Sequence, residues 1–261
     1  MPPECNESSL WGTSDGGELG WTWELPRDAT CAGRARSLLG DALAAVHLPL
    51  DRIRDAEVMV SEVATNVHLH ARQYGPHELW LYPHLRGGEL VCGVFDSSLV
   101  TALPRPAVAG DGSYATSGRG LGIVNELSGG RWGVHPTRSR LGASVPGKLI
   151  WFGLELPPML AGRFCRPPLD PAEAGRTLRT RLKDRGVTPV YLSHRWDLAV
   201  VSLPYGLTVW CQDGRFRWRR GQAAPAVHPV ADLPAVAERL VGRFEELRAT
   251  PAERWTDIGF R

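Results

Sequence analysis

Lysine is nearly missing from this chain. Lys148 and Lys183 are the only two in 261 residues, and arginine carries the remaining positive charge. With abundant Ala, Gly and Pro, that bias points to a GC-rich genome and makes Lys148 notable. Net charge is scarce as well: a formal +2 is too small to argue by itself for nucleic acid or a membrane surface as partner. No apolar run reaches the roughly 18 residues that a membrane-crossing helix needs, and no basic-then-apolar leader opens the chain, so neither spanning nor secretion is expected. Cys5, Cys31, Cys92, Cys165 and Cys211 are an odd set at wide spacings, without a Cys-x-x-Cys. They read as reduced thiols of a cytoplasmic protein with no zinc site. Catalytic signatures are missing too. There is no Gly-x-x-x-x-Gly-Lys-Ser/Thr loop. Ser61, Ser97 and Ser98 lack a Gly-x-Ser-x-Gly elbow. No Gly-x-Gly-x-x-Gly is followed by an acidic strand end.

What is present is organised in two parts. The length allows one large or two modest domains, and 43% apolar residues fit a globular protein. Residues 1–18 are polar and Gly/Ser-rich and read as a loose tail. A short strand over Trp21 to Leu25 precedes a helix from Asp28 to Val46, which Pro49 ends. A second helix covers about 51–71. The runs His77 to Leu85 and Leu90 to Asp96, joined at Gly87-Gly88, read as a β-hairpin. A helix after Gly118 and strands around 131–135 and 148–156 complete an α/β sandwich over 19–157. Its helices cover one face of a mixed, mostly antiparallel sheet. The Pro-rich stretch 158–171 reads as a linker. Beyond it, 172–261 reads as a small α+β domain of unknown role, with a hairpin at Asp213-Gly214 and a last helix over Leu233 to Leu247. Arg215, Arg217 and Arg219 fall on one strand face and Phe216 and Trp218 on the other. That is a half-buried strand with a solvated basic face, suited to an acidic protein partner rather than to nucleic acid.

The second helix carries the most chemistry. Glu62, Asn66 and His70 are four residues apart and so share one side of a helix. Ile53, Ala56, Val60, Val63 and Val67 make an apolar stripe beside them, which places the polar trio at the rim of the core. His68 and His70 point roughly 200° apart and do not form a metal pair. His77, His84 and His135 read as structural or surface residues. Asp96 ends the hairpin's second strand. After it comes an unperiodic stretch, Leu103 to Ser117, of the length seen in lids and binding loops. That loop runs into Gly118-Arg119-Gly120-Leu121-Gly122 at the start of an apolar-periodic helix. Backbone N–H groups at a helix start, with no Cβ atoms in the way, suit an anion.

Three blocks in this order resemble the GHKL superfamily of ATP-binding domains: Ser61 to Ala71 as the N box, Val94 to Ser98 as the G1 box and Gly118 to Val124 as the G2 box. Within it, the chain is most similar to actinobacterial anti-sigma-factor serine/threonine kinase-like proteins. The likeness covers about Trp21 to Leu156. It implies the Bergerat-type fold and a site for ATP and Mg²⁺. In that site Glu62 is the general base and Asn66 holds the metal. His70 lies further along near the phosphates or lid. Asp96 accepts from the adenine amino group. Gly118, Arg119, Gly120, Leu121 and Gly122 wrap the phosphate tail. Lys148 corresponds to a basic or hydroxyl residue near the phosphates. Ser98, at the base end of the site, stands where many relatives have Gly, and Val67 where many have Ala.

The resemblance also implies partners: a sigma factor to sequester and an anti-anti-sigma (STAS-type) protein to phosphorylate on serine. It implies homodimerisation as well, for which no residue argues directly. Two functions stay open at this point. One is a protein serine/threonine kinase. The other is a catalytically silent, ATP-gated binding module.

Overall fold

The computed structural model describes residues 20–71, 73–98, 119–164, 169–219 and 225–250. The tail 1–18, the 103–117 loop and Gly118 therefore lie outside the described residues. The chain divides into two compact units, the first ending at Cys165, with 136–138 and 144–146 counted to the second.

The first unit is the expected α/β sandwich. Its strands are β1 (Trp21–Leu25), β2 (His77–His84), β3 (Glu89–Asp96), β4 (Trp132–Arg138) and β5 (Pro146–Glu155), in the sheet order β1-β2-β3-β5-β4. β1–β2, β2–β3 and β3–β5 pair antiparallel. Helices α1 (Cys31–Ala45), α2 (Leu50–Ala71) and α3 (Arg119–Leu127) accompany the sheet. α2 forms where the apolar stripe predicts it. Ile53, Ala56, Val60, Val63 and Val67 are all buried and meet Leu79, Leu81, Cys92, Val94, Ile150 and Phe152 in one core. α2 also packs on α1, on α3 and on β3.

The strands do not alternate between apolar and polar residues, because both faces of β2 and β3 are buried. On the face away from the core helices, the Trp80 and Phe95 rings stack 5.5 Å apart. The Arg140 guanidinium lies 4.2 Å from the Trp80 ring and 4.7 Å from that of Tyr82. Glu78, fully buried, accepts from Trp80 Nε1 at 2.8 Å, from the Arg140 amide at 2.8 Å and from the Leu141 amide at 3.1 Å. A buried carboxylate is tolerable only when so satisfied. Here it ties the turn after β4 down over the sheet.

The stretch 158–171 is not a linker throughout. Pro158–Phe164 is a helix, α4, and Leu160 and Phe164 are buried in the core of the first unit. Proline is tolerated at the first position of a helix, where its missing N–H has no intrahelical partner anyway. The double proline at 157–158 therefore starts an element instead of breaking the chain.

The second unit has a meander sheet of the order β10-β9-β8-β7-β6, formed by β6 (Tyr191–Arg195), β7 (Leu198–Ser202), β8 (Thr208–Gln212), β9 (Arg215–Trp218) and β10 (Ala226–Pro229). Every pair is antiparallel. α5 (Pro171–Asp184) and α6 (Leu233–Arg248) share its core with Val201, Val209, Phe216 and Trp218. Asp170 caps α5 by accepting from the Glu173 amide at 2.8 Å. Asp213 and Gly214 both have positive φ, +53° and +66°, the conformation a two-residue hairpin turn requires. β10 was not expected. Arg215 and Arg217 are exposed while Phe216 and Trp218 are buried, as the alternation predicts.

Candidate functional site

α2, β3 and the start of α3 bring most of the candidate residues together in the first unit. Glu62 is half-buried on α2, Asn66 follows one turn later, also half-buried, and His70 is exposed in the last turn. α3 begins at Arg119. The second residue, Gly120, meets Glu62 directly: a Cβ built there would stand 2.5 Å from Glu62 Oε2 and 3.5 Å from Glu62 Cβ. The candidate base thus rests against the glycine-rich helix start, and glycine is needed for the approach. Leu121 is partly buried against the core and Val124 fully so, which anchors α3, while Gly122 faces open space.

A Gly120→Ala variant should keep the fold, because the atom it meets is the end of a flexible side chain. The carboxylate must then move. Misplacement by about 1 Å costs on the order of 10²-fold in rate. Melting temperature and the rate of a reaction that uses Glu62 as base, measured together, check this, and an unaltered rate would show that Glu62 needs no such support.

Asp96 sits at the end of β3, only 1% exposed. Its Oδ1 accepts from the Ser98 amide at 2.9 Å, from Lys148 Nζ at 2.9 Å and from the Ser98 hydroxyl. Lys148 also donates to Ser98 Oγ. Oδ2 of Asp96 is buried and has no hydrogen-bond partner among the described residues. Native structures rarely leave such an atom unsatisfied, and a ligand donor is a standard reason. The chemistry of this orphaned acceptor fits the amino group of a nucleobase.

Strand register explains the arrangement. His77 on β2, Asp96 on β3 and Lys148 on β5 are successive cross-strand neighbours in one row. Lys148, expected near the phosphates, is held at the Asp96 end instead. His77, read as structural or surface, is fully buried. Its Nε2 lies 3.1 Å from Ala71 O, joining the start of β2 to the end of α2. This neighbour of Asp96 was legible in principle, since pairing outward from His84 and Glu89 at the turn leads to His77 and Asp96.

The described thiols offer no competing chemistry. Burial pushes Cys31 and Cys211 up to about 11 and raises Cys92 as well. All are therefore protonated and poorly nucleophilic at neutral pH. Among the described residues no helix is long and apolar enough to cross a membrane.

Residues 25–129 match the histidine kinase-like ATPase domain. The match takes in α1, α2, β2, β3 and α3, and with them Glu62, Asn66, Asp96 and Gly120. Lys148 lies outside it, as does the whole second unit. A search of curated proteins finds no match. The antiparallel sheet with helices against it is the sandwich fold of this ATPase domain.

Proposed function

We propose that the chain is a Mg·ATP-binding regulator of the anti-sigma-factor type. In this reading it phosphorylates a serine of an anti-anti-sigma partner and sequesters a sigma factor. The observation that carries the reading is the buried Oδ2 of Asp96, without a partner among the described residues, on a strand against which the Glu62 and Asn66 helix packs. Asp96 receives the base through that oxygen. Asn66 supplies a side-chain oxygen for Mg²⁺, a cation that prefers oxygen ligands and keeps several waters. The glycine-rich start of α3 presents backbone N–H groups to the phosphates, and His70 stands further along the α2 face. Bound Mg·ATP supplies the transferable phosphoryl group. Glu62 takes the proton of the seryl hydroxyl as its oxygen bonds to the γ-phosphorus and the bond to ADP breaks. Such transfer depends mainly on positioning and charge neutralisation.

Calorimetry of ATP binding with and without Mg²⁺, on wild type and Asn66→Ala, tests the site. Wild type should bind more tightly with the metal, and the variant should lose that gain. Binding indifferent to Mg²⁺ in both would remove Asn66 from the site, and no binding at all would remove the site.

A second reading, an ATP-gated binding module without transfer, draws support from the second unit. Arg215 and Arg217 are exposed there, with Trp210, 40% exposed, the cross-strand neighbour of Arg217. A basic, aromatic sheet face suits an acidic protein partner.

A further inference from the structure

We infer that Lys148 and Ser98 set which purine the base end of this site accepts, by closing one oxygen of Asp96 to the ligand. The inference rests on the nucleotide-binding reading above. A carboxylate oxygen accepts along two lone-pair directions. Oδ1 of Asp96 already takes the Ser98 amide, the Ser98 hydroxyl and Lys148 Nζ, so nothing is left there for a base. Oδ2 is buried and unpartnered among the described residues. Asp96 therefore presents one acceptor and not two.

One acceptor suits adenine, whose edge offers a single exocyclic amino group beside a ring nitrogen that itself accepts. Guanine offers two parallel N–H donors, on the ring and on the 2-amino group. A carboxylate takes those with both oxygens, in the bidentate manner it uses for a guanidinium. Filling Oδ1 removes that mode.

The same reasoning gives this position a use for lysine in a chain with only one other, Lys183. An ammonium is a point charge and engages one oxygen. A guanidinium is a planar fork that takes both, and here it would occupy Oδ2 as well. Register fixes Lys148 directly across from Asp96, and its side chain is only 18% exposed. Lys148 is thus a positioning residue: it acts on the ligand through Asp96.

Two variants separate this role from simple support of the fold. Lys148→Arg keeps the charge, yet it should lose roughly a hundredfold in ATP affinity, because Oδ2 is taken. The double variant Lys148→Met with Ser98→Gly leaves only the amide of residue 98 on Oδ1 and so frees one of its two lone-pair directions. In it the preference for ATP over GTP should shrink by roughly tenfold or more. Calorimetry with both nucleotides, on protein shown by circular dichroism to be folded, reads both arms. Support of the fold alone would leave the ratio unchanged and let arginine substitute. Lys148→Arg binding ATP like wild type, or the double variant keeping the wild-type ratio, overturns the inference while the nucleotide site stands. Wild type that binds neither nucleotide overturns the nucleotide site itself, and the inference with it.

Discussion

Asp96→Ala is expected to lose roughly 10- to 100-fold in ATP affinity while the protein stays folded. The variant removes the only acceptor that Asp96 leaves open to a base. A hydrogen bond to a charged group contributes about 1.5–3 kcal/mol, roughly 10- to 100-fold in affinity. It also releases Lys148, whose long, partly exposed side chain can turn towards water. The cost to stability is therefore small beside the cost to binding. Asp96→Asn sharpens the test. Lys148 and Ser98 both donate to this side chain, so the amide oxygen turns towards them and the NH₂ group towards the ligand. A donor then faces the donor of adenine, and ATP binding is lost although shape is kept. Calorimetric titration of both variants, with melting curves alongside, gives the answer. An Asn variant that binds ATP like wild type would show that Oδ2 does not meet the base.

Glu62→Gln is expected to lose phosphotransfer by roughly 10²- to 10⁴-fold, the usual share of a general base, with ATP affinity close to that of wild type. Glutamine keeps the length of the side chain and its contact with Gly120 but has no basic oxygen. Transfer to an anti-anti-sigma partner, followed with labelled ATP, is the measurement. The two functional readings part here. A kinase is silenced by Glu62→Gln. A gated binding module keeps its partner affinity in that variant and loses it in Asp96→Ala. Transfer undiminished in Glu62→Gln would take the base role from this residue.

Much of the first unit was readable from the sequence, because its elements are local. The stripe from Ile53 to Val67 has one face and one period, and it made one long helix. Asp96 was recognisable as a strand end because the hairpin turn lies just upstream. Relations between distant strands were not readable. Lys148 pairs with Asp96 across β3 and β5, with α3 and β4 between them in the chain, so no local spacing announces the contact. Nothing local announces the burial of Glu78, whose carboxylate accepts from Trp80 Nε1 and from the amides of Arg140 and Leu141. α4 was hidden by its own first proline. β10 is four residues long with one buried side chain, His228, too little pattern for a periodicity argument. His228 stacks on Trp218, 5.0 Å between ring centroids, a pairing that exists only once β9 and β10 are side by side.

The touching of Glu62 and Gly120 has a practical consequence. At that point the Glu62 side chain itself meets the third helix, so a change on either side is taken up by its carboxylate. In the proposed reading, proton acceptor and phosphate cradle are thus one mechanical part. Attempts to retune the reactivity of the carboxylate, or to re-engineer the glycine turn for another ligand, will each alter both properties at once, and productive changes should come as pairs.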